Sequence, residues 1–263
     1  MPVLHGSLMN RYNSQLSSMS SPPSTMPSHC VWLIIGSDAD GIGDYEKIRA
    51  TMVAKEWGYV GFAADIYGAE FHPVTNSTVR GELLGTYRGD ADLFTARIEA
   101  AVQAASAMPE VDSSNVGIMG YCFGGTGTIM YTLSGLGTAK AGVSFHGGLV
   151  YQEDGPETTT DLLVLSGGDD DTSTDIIDLE NRLNTANGTW QITRYSDIQH
   201  AFTNWFDSKY KRISILWLVN SRLKRCVRLT CVCLCMRVFP CHSSGSIQCL
   251  GRSPLMVIGW PLF

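Results

Sequence analysis

The feature that most restricts the fold is a glycine-rich turn near the middle of the chain. A short apolar run from Val116 to Met119 indicates a buried strand, and Gly120-Tyr-Cys-Phe-Gly-Gly125 follows it before a stretch of small residues typical of a helix. Glycines flank Cys122 at two-residue spacing, which is the Gly-x-Ser-x-Gly nucleophile elbow with cysteine in place of serine. The pattern predicts a strand, a sharp turn that presents Cys122, and a helix.

The position of Cys122 predicts a nucleophile. A thiol at a helix N-terminus meets partial positive charge that favours the thiolate, and the backbone N–H of Phe123 would point to where an oxyanion forms. The alternative is a buried cysteine beside a glycine-rich turn. A nucleotide-binding loop is disfavoured, because neither a following Lys-Ser/Thr pair nor Gly-x-Gly-x-x-Gly spacing is present.

Predicted strands alternate with predicted helices along the chain. The strands are 30–35, 59–64, 116–119, 141–145, 162–165 and 190–194, and the helices are 44–57, two between 76 and 108 separated near Gly89, one ending at about Ser134, and 173–186. This alternation predicts a single α/β domain with a mostly parallel sheet covered on both faces. Sites in such sheets lie at the carboxyl ends of the strands.

Three groups of reactive side chains follow predicted strands, and their order along the chain indicates a catalytic triad. Cys122 comes first, the aspartates of 169–171 second and His200 third, which is the order of nucleophile, acid and histidine in the α/β-hydrolases. His200 would deprotonate the thiol and later protonate the leaving group, while the acid orients the imidazole. Taken alone, a loop histidine is usually solvated and a run of aspartates usually marks a turn or a cation contact.

Charge is distributed unevenly along the 263 residues. Residues 1–210 contain all 25 acidic residues and 11 Lys or Arg, a net charge of −14, whereas residues 211–263 contain eight basic residues and no acidic one. An acidic body is unsuited to nucleic acid. No apolar run reaches the ~18 to 20 residues of a membrane-spanning helix, and no signal-peptide segment begins the chain. We therefore expect a cytoplasmic protein with no nucleic-acid or membrane partner.

Both ends of the chain differ from its body. Residues 1–29 are rich in Ser, Pro and Met without a hydrophobic period, which predicts a disordered leader. Residues 211–263 hold six of the eight cysteines, so they are either an acquired tail or the product of a changed reading frame or retained intron. The cysteines of 231–235 alternate at two-residue spacing instead of forming Cys-x-x-Cys, which gives a zinc site little support. Palmitoylation of cysteines beside basic residues is the other functional interpretation of the tail. Apolar residues on one face of 212–224 predict a closing helix.

Three segments resemble the signature segments of the dienelactone hydrolase family. They are Gly-Tyr-Cys-Phe-Gly-Gly (120–125), Leu-Ser-Gly-Gly-Asp-Asp (165–170) and Gln-His-Ala-Phe-Thr-Asn (199–204), with further similarity in Ala-Ala-Asp-Ile-Tyr-Gly (63–68) and Phe-His-Gly-Gly (145–148). The resemblance covers about residues 30–210 and implies an α/β-hydrolase fold there. In the family the acid follows the Gly-Gly pair after one residue, which implies Asp170.

The resemblance also implies roles around the nucleophile. The backbone N–H groups of Ala39 and Phe123 would form the oxyanion hole. Asp38 falls where the family has a glutamate that contacts the resting nucleophile, and it is one methylene shorter. Arg80 lies in the region of one arginine that binds the substrate carboxylate in the family, although a solvated helical arginine is the alternative. Asn204 stands where the family has the other.

These features together predict a hydrolase of carboxylic esters or lactones. The substrate would be a small molecule, and a Cys-His-Asp triad needs no cofactor or metal. Two other readings stay open from the sequence: a thioesterase or amidase on the same triad, and a catalytically inactive binding protein that retains the hydrolase fold.

Overall fold

A parallel β-sheet forms the centre of the protein in a computed structural model that describes residues 29–35, 39–57, 59–71 and 74–204. Its strands are β1 (His29–Ile35), β2 (Val60–Ala64), β3 (Val111–Tyr121), β4 (Ala141–Phe145), β5 (Asp161–Gly167) and β6 (Trp190–Tyr195). Among the described residues they are arranged in the order β2-β1-β3-β4-β5-β6, and all five neighbouring pairs are parallel. The predicted mostly parallel sheet is confirmed.

Helices connect the strands and cover the sheet. They are α1 (Asp44–Met52), which continues into a π-helical turn at Val53–Trp57, α2 (Ser77–Gly89), α3 (Ala91–Ser106), α4 (Phe123–Leu133) and α5 (Ser173–Thr185), with a 3-10 turn at Ala69–Phe71. The predicted break between α2 and α3 falls at Asp90, whose carboxylate accepts the N–H of Leu93 at 2.9 Å and so caps α3.

The core fills both faces of the sheet, which explains the continuous apolar runs of the strands. On one face Val31 and Leu33 of β1 belong to the same buried cluster as Phe94 and Ile98 of α3. On the other face Trp32 belongs to the buried cluster that includes residues of α1. Successive side chains of a strand point to opposite faces, so a strand with helices on both sides is apolar throughout.

The one clear departure from the predicted strands is the length of β3. The strand begins at Val111, which pairs with His29, rather than at the first residue of the apolar run at Val116. The intervening residues, 112–115, are polar and half-buried or exposed. Hydrophobic patterning does not indicate a strand in such a segment.

The strand order reverses between β1 and β3, the place where open parallel sheets form a crevice. The chain leaves β1 toward β2 on one side and returns to β3 on the other, so the turns that follow β1 and β3 diverge at the carboxyl edge of the sheet. Ligands of open parallel sheets bind at such a reversal of strand order. The turn at Ala39 and the elbow at Cys122 lie at this edge.

The predicted ends of the chain lie almost wholly outside the described residues. Only His29 of the predicted leader 1–29 is described, as the first residue of β1, and the predicted tail 211–263 with its helix at 212–224 is not. Within the described part of the chain, none of the helices is both long and apolar enough to cross a membrane.

Candidate active site

The elbow has the strained geometry that its glycines predict. Cys122 has φ 50° and ψ −110° between the end of β3 and the start of α4, a conformation uncommon for residues with a side chain. A Cβ at Gly120 would come within 1.9 Å of the carbonyl oxygen of Gly124, so only glycine fits there. Cys122 is half-buried and stands at the N-terminus of the helix.

The structure brings Cys122, His200 and Asp170 into one chain of contacts. Nε2 of His200 lies 3.1 Å from Sγ of Cys122, and Nδ1 of His200 lies 2.8 Å from Oδ2 of Asp170. The three residues follow β3, β6 and β5, so their meeting depends on the shared carboxyl edge of the sheet. The contacts have the geometry of a nucleophile, a base and a group that orients the base.

The contacts of His200 favour its imidazolium form. The hydrogen bond with Asp170, and then that with Cys122, raise the pKa of His200 from its ordinary 6.5 to about 10, although burial opposes the change. The protonated ring donates from both nitrogens, toward Asp170 on one side and the sulfur on the other.

The loop after β5 gives its three aspartates different surroundings. Asp170 faces His200, whereas Oδ2 of Asp171 accepts a hydrogen bond from Ser166 Oγ at 2.6 Å. Burial raises the pKa of Asp171 above its ordinary range, and Asp169 is exposed. The position that the family resemblance implies is therefore the one that contacts the histidine.

The two predicted oxyanion-hole residues follow β1 and β3, the two strands at which the strand order reverses. Phe123 is the first residue of α4, where backbone N–H groups have no partner within the helix. Ala39 lies half-buried in the turn after β1, and the carbonyl of the next residue, Asp40, accepts the N–H of Val74 at 3.0 Å. Asp38 lies outside the described residues.

Arg80 and Asn204 occupy the two positions at which the family resemblance places arginines. Arg80 lies half-buried in the first turn of α2, and the described residues include no hydrogen bond or ion pair between its side chain and Cys122, His200 or Asp170. Asn204 is half-buried four residues after the histidine, and its N–H donates to the carbonyl of Ala201 at 2.8 Å.

Two buried polar residues near the site received no role from the sequence. His146, directly after β4, accepts the backbone N–H of Cys122 at its Nδ1 at a distance of 3.2 Å. The ring of Tyr67 packs 5.1 Å from that of Phe123, and its hydroxyl is buried without a hydrogen-bond partner among the described residues. Burial, then the nearby Cys122, raise the pKa of Tyr67 well above its ordinary range. Their sequence signals are that they lie in the two further segments of family resemblance, 63–68 and 145–148, and that each comes after the carboxyl end of a strand.

No group of three or more His, Cys, Asp or Glu side chains within 29–35, 39–57, 59–71 and 74–204 is arranged to hold a metal ion.

Comparisons with known proteins agree with this architecture. A protein of Synechocystis sp. assigned as a carboxymethylenebutenolidase is 30% identical over 207 residues, which are 72% of this chain and 82% of the relative. The fold is similar to the crystal structure of a dienelactone hydrolase-like promiscuous phosphotriesterase from metagenomic libraries, with a TM-score of 0.62 and 24% identity over 74% of this chain and 86% of that one. It is also similar to a protein of Klebsiella pneumoniae assigned as a dienelactone hydrolase, with a TM-score of 0.57 and 21% identity over 73% of this chain and 85% of that one.

A match to a family model classifies the chain. The model of the dienelactone hydrolase family matches residues 21–215, which is most of the chain and includes every strand and helix described above. With the parallel sheet, the elbow after β3 and the similarity to the Synechocystis protein, the match identifies a hydrolase of the α/β-hydrolase fold. This chain belongs to the dienelactone hydrolase family.

Proposed function

We propose that the protein hydrolyses carboxylic esters or lactones with Cys122 as nucleophile, His200 as proton carrier and Asp170 as the residue that orients the histidine. The observation that carries this proposal is the continuous contact from Asp170 through His200 to Cys122, at 2.8 and 3.1 Å. The relative's name as a carboxymethylenebutenolidase, an enzyme that acts on a lactone, supports the same substrate class.

The first half of the reaction forms an acyl-enzyme. The thiolate of Cys122 attacks the carbonyl carbon, and the π electrons move to the carbonyl oxygen, where the N–H groups of Phe123 and Ala39 would stabilise the oxyanion. The tetrahedral intermediate collapses and the C–O bond to the alcohol breaks. The departing alkoxide takes the proton from Nε2 of His200, which leaves a thioester and a neutral imidazole.

The second half returns the enzyme to its resting state. Neutral His200 removes a proton from water, and the resulting hydroxide attacks the thioester. The C–S bond then breaks, so the carboxylic acid departs and the thiolate faces the imidazolium again. Asp170 keeps Nδ1–H of His200 directed toward itself in both halves, which keeps Nε2 directed at the reacting atoms.

Active-site titration tests the proposal directly. We expect p-nitrophenyl acetate to give a burst of one p-nitrophenolate per protein followed by steady turnover, because an acyl-enzyme forms before water resolves it. Cys122→Ala should abolish the burst, and mass spectrometry of a quenched reaction should find the acetyl group on Cys122 in the unmodified protein.

Matched substrates separate the proposal from its alternatives. A carboxylic ester, a thioester and an amide with the same acyl group should be compared at equal concentration, with Cys122→Ala as the background. A kcat/KM for the thioester or the amide that exceeds the ester value would replace the proposed substrate class. No turnover of any member would instead favour a binding protein on the hydrolase fold.

A further inference from the structure

A second histidine joins the two segments that carry Cys122 and His200. His146 directly follows β4 and is only 1% exposed. Its Nδ1 accepts the backbone N–H of Cys122 at 3.2 Å and shares that N–H with the carbonyl of Phe145 at 3.0 Å. Its Nε2 lies 2.7 Å from Oγ1 of Thr203, three residues after His200. Its ring meets the ring of His200 edge to face, with 5.2 Å between the ring centres.

The hydrogen bonds fix the tautomer of His146. A backbone N–H can only donate, so Nδ1 must be the unprotonated nitrogen, and the proton of the neutral ring is on Nε2. Nε2–H then donates to Thr203 Oγ1. Burial, followed by the nearby charges of His200 and Arg49, lowers the pKa of His146 well below its ordinary value, so the ring is neutral near pH 7.

Side chains of helix α1 hold Thr203, the residue to which Nε2–H of His146 donates. The hydroxyls of Tyr45 and Thr203 are 3.0 Å apart, and the Tyr45 hydroxyl donates to the carbonyl oxygen of Thr203 at 3.1 Å. Arg49 donates to the same carbonyl at 3.0 Å and to the Tyr45 hydroxyl at 2.7 Å. Thr203 is therefore fixed to a helix that packs on the sheet, and His146 connects this fixed point to the backbone of the elbow.

The backbone of His146 indicates that its side chain has a specific task. His146 has φ 40°, in the left-handed region that a non-glycine residue adopts only with backbone strain. Glycine would adopt it without that cost, and glycine follows immediately at Gly147. A strained residue next to reactive groups is a common feature of functional sites.

We propose that His146 is a positioning residue, a neutral imidazole that ties the elbow backbone at Cys122 to Thr203 and so sets the distance between Sγ of Cys122 and Nε2 of His200. The inference rests on the proposed function and adds to it a residue that touches no substrate. Its neutral state matters because a protonated Nδ1 would lose the elbow N–H and place a second positive charge against His200.

Variants of both ends of the connection test this assignment. His146→Phe keeps a ring and removes both hydrogen bonds, and Thr203→Val removes the other end. His146→Asn retains an acceptor for the Cys122 N–H and tolerates positive φ, but it is too short to reach Thr203. Thr132→Val is a matched control, because Thr132 is a fully buried threonine whose hydroxyl donates within α4.

The measurement is kcat per active site counted by the p-nitrophenyl acetate burst, so that unfolded protein does not contribute. We expect His146→Phe and Thr203→Val to lower kcat by about 10- to 100-fold, because small displacements of reacting groups have effects of this size. KM should change less than about twofold, His146→Asn should retain more activity than His146→Phe, and Thr132→Val should match the unmodified protein. The double variant of His146 and Thr203 should lose little more than either single variant.

The rate at which iodoacetamide alkylates Cys122 provides a second readout that needs no substrate. It should fall in His146→Phe and Thr203→Val, since the contact between the sulfur and the imidazolium is loosened. Slower alkylation with no ester turnover in the unmodified protein would refute the proposed substrate class and support the positioning role. Normal kcat per site and normal alkylation in Thr203→Val and His146→Asn would overturn the role of His146, even if His146→Phe fails to fold.

Discussion

Replacing Asp170 with asparagine removes one charge from the proposed triad with almost no change in shape. Oδ2 of Asp170 lies 2.8 Å from Nδ1 of His200, and this hydrogen bond is the largest cause of the raised pKa of the histidine. A hydrogen bond to a charged group contributes about 1.5–3 kcal/mol. Since 1.36 kcal/mol is tenfold in rate, its loss from the transition state lowers kcat/KM by about 10- to 150-fold.

Exposure of the pair places the expected loss in the lower part of that range. The side chain of His200 is 37% exposed and that of Asp170 is 18% exposed, so water screens part of the interaction. We expect Asp170→Asn to lower kcat/KM for p-nitrophenyl acetate by about 10- to 50-fold near neutral pH. The pKa of His200, followed by NMR of its ring nitrogens, should fall from about 10 toward its ordinary value.

The neighbouring aspartate provides the matched control. Asp171 lies in the same loop, but its carboxylate accepts a hydrogen bond from Ser166 instead of facing His200. Asp171→Asn should change kcat/KM by less than about threefold, as should a change of exposed Asp169. An Asp171→Asn loss as large as that of Asp170→Asn, or an Asp170→Asn variant with full activity and an unchanged His200 titration, would refute the assignment.

Three further outcomes follow from the charges of the site and its surroundings. Iodoacetamide should modify Cys122 well before Cys30, which belongs to β1, and peptide mapping that finds equal rates would contradict the role of the elbow. The raised pKa of His200 contributes stability that is complete below about pH 6.5 and is lost as pH rises toward 10. The Tm should therefore fall across this interval, and it should fall less in His200→Gln. Parallel curves of Tm against pH for the two proteins would disprove the linkage. Neutral esters should have a higher kcat/KM than anionic lactones of similar size, because residues 1–210 carry a net charge of −14 and Asn204 is uncharged. The opposite preference in a matched pair would show that another cation binds the substrate carboxylate.

Much of the fold could be predicted because local patterns and global topology agree. The run from Ala141 to Phe145 is apolar and bounded by polar or glycine-rich segments, and the strand has those same bounds. The elbow glycines predict a sharp turn from their chemistry alone, and the Cβ contact at Gly120 gives the physical reason. The common edge of Cys122 and His200 followed from parallel topology, which aligns the carboxyl ends of all strands.

The choice among the aspartates could not come from residue types. Three identical side chains in succession differ only through the turn that holds them. The backbone N–H of Asp169 donates to the carbonyl of Ile198 at 3.0 Å, and Asp171 turns back toward Ser166. The contact with Ile198 joins the loop after β5 to the segment that precedes His200, so Asp170 was selected by the family resemblance and not by the local sequence.

Backbone strain explains why the conformation of several site residues could not be predicted from the sequence. Three of the described non-glycine residues with positive φ are Cys122, His146 and Ala201, at 50°, 40° and 59°, and they follow β3, β4 and β6 at one edge of the sheet. Cys and Ala do not favour positive φ, in contrast to Asn, Asp and His. Local propensity therefore disagrees with the fold at the positions where tertiary hydrogen bonds act. The bonds from Cys122 to the Phe145 carbonyl at 3.0 Å and to His146 at 3.2 Å offset part of the strain, so the geometry of the nucleophile depends on contacts between segments distant in sequence.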